Sequence, residues 1–139
     1  MSQEKLQHKE FVQSTITRMN SNSFEIKKIC VTIIAASCAV YASTKNIIFL
    51  VIPIPLTLIM WIIDSYYLQL EKKFRGIYND ICELTATYER KTNLNYEMDP
   101  SKYKGVGFSF LESFILSINA IIYFSLIVFL TTAVVLISR

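Results

Sequence analysis

The chain has 139 residues, of which 53% are hydrophobic and only 18% charged, and its formal net charge is +3. That length holds one domain, the charged share falls below the roughly one quarter usual in soluble domains, and so small a net charge gives no basic footprint for nucleic acid. Gly and Pro number three each, so loops are few and an all-α integral membrane protein with long helices is expected.

Residues 1–22 are read as a cytoplasmic N-terminal helix, with Leu6, Val12, Ile16 and Met19 on one stripe and Phe11 beside it. The string "MNSNSFEIKK" is expected to break it. Asn22 followed three residues later by Glu25 resembles a capping box, which would start the next helix near Ser23. These polar opening residues have the wrong order for a cleavable signal peptide, so the first apolar run is expected to act as an uncleaved anchor.

That run, residues 29–43, is "ICVTIIAASCAVYAS". At 1.5 Å per residue it reaches roughly 22 Å, short of a full crossing unless the helix extends beyond it. Ala35, Ala39 and Ser43 recur at four-residue spacing. Such small residues let membrane helices approach closely, here either the second span or another subunit. Only "TKN" separates this run from the second, residues 47–63, so the two form a tight hairpin. Pro53 and Pro55 are expected to kink the second span.

The second run closes in "MWIIDSYYLQL". Trp61, Tyr66 and Tyr67 suit the headgroup region, where amphipathic rings concentrate. Asp64, at the same level, is expected to reach water, so the four together mark a membrane exit. The helix is expected to continue to residue 92. Tyr67, Leu70, Phe74, Ile77, Ile81, Leu84 and Tyr88 follow one another at gaps of 3 and 4, a heptad seam. Either the N-terminal helix or the same helix of a second copy, as a coiled coil, must cover it. Gly76 within it permits a bend or a close approach.

Residues 93–109 are read as an interfacial loop, with turns at Pro100, Gly105 and Gly107. Ser109 and Glu112 repeat the capping-box pattern. Residues 114–138 then carry no charge at all, which makes them the third transmembrane span. Asn119 is its most polar side chain and is expected to meet another helix.

Five basic residues precede the first span and seven lie between the second and third, twelve of the fourteen in the chain. The positive-inside rule then places both portions in the cytoplasm and the C-terminus outside. Cys30, Cys38 and Cys82 match no metal or redox spacing, and His8 is the only histidine. No nucleophile or metal constellation is present, so neither catalytic residues nor a cofactor nor a metal is expected, and the chain is read as a non-enzyme.

The strings "NSFEIKK", "YASTKN", "IPLTLIMWIIDSYYLQLEKKFRGIYND" and "KYKG" resemble a group of small bacterial integral membrane proteins. The resemblance covers nearly the whole chain. In layout, a membrane hairpin running into a long cytoplasmic helix, the chain is also similar to the two-span effector modules of bacterial antiviral systems. The third span is additional to that module. The resemblance implies a bacterial inner membrane location and an oligomeric effector or signalling subunit, membrane-permeabilising in defence. The competing expectation is an accessory anchor that docks a soluble partner through its cytoplasmic helices.

Overall fold

A computed structural model describes residues 3–84 and 98–138. The described residues form five α-helices: α1 Gln3–Thr44, α2 Ile48–Val51, α3 Pro53–Ile81, α4 Phe110–Ile115 and α5 Ile118–Ile137. A short 3-10 turn spans Pro100–Lys102. No strand occurs among the described residues. Three stretches, Gln3–Thr44, Ile48–Ile81 and Ile118–Ile137, are long and apolar enough to cross a membrane, which fits a membrane protein. α3 is the central element and packs against both α1 and α5.

The break expected at "MNSNSFEIKK" is absent, because α1 runs unbroken through it. Asn22 and Glu25 therefore do not form a capping box. Asn and Ser lose only a few tenths of a kcal/mol each in a helix interior, and tertiary contacts decide. Ser23 and Lys27 are both held by Asp64 of α3, which keeps this stretch helical. The hairpin at "TKN" closes as expected. Lys45 takes a left-handed φ of 56°, and Asn46 Oδ1 accepts from the Ile48 N–H at 3.1 Å. Pro53 sits at the first position of α3, where its missing N–H costs nothing, and Ile52 between α2 and α3 keeps helical angles. The prolines thus interrupt the hydrogen-bond ladder rather than break the path.

α3 ends at Ile81, well before residue 92. Glu83 adopts φ 60°, and the Leu84 N–H reaches back to Asn79 O at 2.9 Å, closing the helix as a Schellman-type end. Lys5 of α1 holds Glu83 there with a 2.8 Å ion pair. Both side chains are substantially exposed, so Lys5→Ala is expected to cost less than about 1 kcal/mol. Thermal unfolding of that variant in detergent checks this.

The middle of the expected seam is covered within the chain. Ile77 and Ile81 are buried against Val12 and Ile16 of α1 and against Tyr103, with Phe74, Tyr78, Met98 and Phe108 packed around them. Each fully buried aliphatic side chain stabilises by about 1.5–3 kcal/mol. Tyr67 and Leu70 are half-buried, Leu84 is exposed, and Tyr88 lies outside the described residues. A second cluster joins the apolar ends: Cys30 and Ile34 of α1 with Tyr123 and Leu130 of α5, across Ile54, Met60 and Trp61 of α3.

The third apolar run is not one helix. It bends at Leu116 and Ser117, and Ser117 caps α5 by accepting from the Ala120 N–H at 3.3 Å. α5 alone has 20 residues, about 30 Å. Before α4, Ser109 has cap geometry but no side-chain cap bond. Glu112 instead accepts from the Gly107 N–H at 2.5 Å, so the expected box is replaced by a longer reach.

Candidate functional site

Lys27 lies on α1 one turn after Ser23, and α1 turns both toward α3. There they meet Asp64. The Lys27 ammonium is 3.0 Å from Asp64 Oδ2 and 3.1 Å from Oδ1. It also donates to Ser23 Oγ at 2.6 Å, while the Ser23 hydroxyl donates to Asp64 Oδ1 in a close bond. The carboxylate has no exposed surface, whereas the Lys27 side chain keeps 19% exposure. An ion this buried must be paired, because removing a charge from water costs several kcal/mol.

A third helix closes the site. Tyr123 of α5 is fully buried, with its hydroxyl near Asp64. Among the described residues that hydroxyl has no hydrogen-bond partner, and Asp64 Oδ2 is held through its ion pair with Lys27. Trp61, one turn before Asp64, stacks at 4.4 Å on Phe114 and at 6.2 Å on Tyr123. Its indole N–H donates to Phe114 O at 3.1 Å, which satisfies a carbonyl beside the bend between α4 and α5. Below lies a smaller polar step, where the Cys30 thiol approaches Thr57 Oγ1 at 3.8 Å.

The four residues expected at a membrane exit therefore divide. Tyr66 is exposed and Tyr67 half-buried, edge-on to it at 6.2 Å. Trp61 is half-buried between two rings. Asp64 does not reach water, because the α1 hairpin covers it and supplies a cation. Ser23, Lys27 and Tyr123 were not singled out by sequence, yet a signal for Lys27 existed. It stands 18 residues before Lys45, and Asp64 stands 18 after Asn46 (45 − 27 = 64 − 46). Residues equidistant from an antiparallel hairpin turn lie at the same height, since both helices rise equally per residue.

The small residues Ala35, Ala39 and Ser43 are exposed and face away from the second run; Cys30, Ile34 and Cys38 make that contact instead. Asn119 falls in the first turn of α5, half-buried, rather than in the middle of a span. Within the described residues no group of three or more His, Cys, Asp or Glu is arranged to hold a metal.

A second contact zone tethers residues 98–109 to α3. The Tyr103 hydroxyl donates to Asp80 at 2.5 Å, and the ring lies on Gly76, where an added Cβ would stand 2.7 Å from it. Close approach, not a bend, explains that glycine. Gln69 Nε2 donates to Phe108 O at 3.0 Å. Asp99 caps the 3-10 turn, and its bonds from Ser101 hold its carboxyl below the usual range.

Together these features define a class: an all-helical protein with three membrane-capable helices and a buried charged junction where its polar and apolar portions meet. Comparison with protein-family models, with curated proteins and with solved structures gives no match.

Proposed function

We propose that the chain is a three-span protein of a bacterial inner membrane, with its N-terminus and both charged portions in the cytoplasm and its C-terminus outside. In this reading it acts without catalysis, as an effector or signalling subunit that assembles with further copies and alters membrane permeability. The observation that carries the proposal is mechanical. α1 runs unbroken from the charged end into the apolar end, α3 does the same in reverse, and Lys27–Asp64 clamps them where the chemistry changes. Movement of the charged hairpin is then passed to the spans without an intervening flexible joint.

Two measurements test it. Reporter tags at the two termini are expected to report opposite sides of the membrane; the same side at both ends refutes the topology. Induced expression is expected to collapse the signal of a potential-sensitive dye. An intact potential at high expression, with and without neighbouring gene products, refutes the permeabilising role.

A second reading, an anchor for a soluble partner, is favoured by one observation. Phe11 is 58% exposed on the charged end of α1, with Leu6 also exposed nearby. Exposed apolar groups outside a lipid environment mark contact sites. In that case detergent pull-down returns a soluble protein with the native chain and not with Phe11→Asp.

A further inference from the structure

Residues 98–118 have an outer face that neither core uses. Val106 is 93% exposed. It stands between Gly105 and Gly107, whose φ values of 98° and 87° are open to glycine and strained for other residues. A Cβ added at either glycine would meet nothing, so this turn projects clear of the protein. Its shape is held from behind, by Glu112 on the Gly107 N–H and by Tyr103 in the core. The exposed apolar surface then continues along Leu111, Ile115, Leu116 and Ile118, of which Leu116 is 80% exposed.

The height of this face is fixed by two hydrogen bonds to α3. Trp61 reaches Phe114 O and Gln69 reaches Phe108 O. The α4 edge therefore lies alongside residues 61–69, where the second apolar run ends and the charges begin, and Val106, between Tyr103 on Gly76 and Phe108 on Gln69, stands just beyond it on the charged side. Basic residues also lie beside this face. Lys102 and Lys104 flank the buried Tyr103, and both are exposed. Lys72 and Lys73 lie one turn from Gly76, on the stretch of α3 that carries Tyr103 and Phe108. Asp99 is one acid near Lys102 and Lys104, and Glu112 is bound to the turn.

We infer that this face is a membrane-surface insertion element for anionic phospholipid, with Val106 and the α4 edge entering the headgroup layer and the flanking lysines taking the acidic headgroups. The inference rests on the three-span reading. Apolar groups held at that depth gain from burial among acyl chains, and basic groups beside them gain from an anionic leaflet. Ile115 also lines an apolar groove of about 270 Å³ with Trp61, Ala120, Ile121 and Phe124, open at the bend between α4 and α5. It offers an acyl chain a place beside the inserted edge.

The test uses the full chain in vesicles of phosphatidylcholine carrying brominated acyl chains, with or without phosphatidylglycerol. Tryptophan is introduced singly as Val106→Trp, Ser14→Trp or Val128→Trp, and quenching is compared with the native chain. Val106→Trp is expected to be quenched more than Ser14→Trp on the charged end and less than Val128→Trp within α5. Its quenching is expected to rise with phosphatidylglycerol, and Lys102→Glu with Lys104→Glu is expected to abolish that rise. If Val106→Trp is quenched no more than Ser14→Trp in both mixtures while Val128→Trp is quenched, the insertion element is refuted and the three spans stand. If Val128→Trp also escapes quenching, the three-span reading itself fails. A rise that survives the double lysine substitution refutes the role of these lysines.

Discussion

Lys27→Met is expected to lose roughly 3–5 kcal/mol of folding free energy, the cost of leaving one member of a buried pair without its partner. The two single substitutions should not be equal. Asp64 has no exposed surface, while Lys27 retains 19%. Without Asp64, the Lys27 stem can swing its ammonium toward water, as long basic side chains do at a membrane boundary. Without Lys27, the carboxylate has no such route, although Ser23 and Tyr123 remain near it. Lys27→Met should therefore destabilise more than Asp64→Leu. The double variant should recover most of the loss, because replacing both members of a buried pair with apolar groups is often neutral or better. Thermal unfolding in one detergent, for the three variants and the native chain, checks the order. Equal losses in both single variants, with additive loss in the double, would show that the pair contributes nothing as a pair.

The second large effect is at Gly76. In an exposed helix interior, Gly to Ala gains up to about 1 kcal/mol. Here the new methyl would stand 2.7 Å from two carbons of the Tyr103 ring and 3.2 Å from Phe108. The ring has no easy retreat, since it is buried and its hydroxyl is held by Asp80. Overpacking of this kind costs about 1–3 kcal/mol, so Gly76→Ala is expected to destabilise. In a Tyr103→Ala background the same substitution should change sign and stabilise, because the two closest contacts are gone, Phe108 has to give only a few tenths of an ångström, and the helix propensity remains. Amide exchange around residues 98–108 should quicken in Gly76→Ala alone. A stabilising Gly76→Ala in the native background would refute the contact.

The first prediction concerns a contact across the hairpin, and such contacts were partly legible. The apolar runs with "TKN" between them set the turn, and the turn sets the height of every later pairing. Val12 stands 33 residues before Lys45, and 33 after Asn46 is residue 79, between Ile77 and Ile81 that cover it. The 3-and-4 spacing of the seam likewise picked out Ile77 and Ile81 as buried. It could not say that α1 of the same chain would cover them, because an apolar stripe specifies only that something apolar must face it.

What the sequence by itself determined is the helical character, the three apolar stretches and the tight hairpin, since each follows from local composition and period. The tertiary structure alone decided the rest. Ser23 and Lys27 sit in a stretch whose own chemistry signals a helix cap, and Asp64 in one whose chemistry signals exposure to water. Local propensities there amount to tenths of a kcal/mol, whereas an unpaired buried carboxylate costs several. The carboxylate therefore prevails over the local preference: α1 stays helical across "MNSNSFEIKK" and brings its lysine to Asp64. The end of α3 at Ile81 and the bend at Ser117 have local devices, Glu83 in the left-handed region and Ser117 as a cap, and each is also held from elsewhere in the chain. Lys5 on Glu83 and Trp61 on Phe114 are contacts between residues far apart in the chain, and no local pattern encodes them.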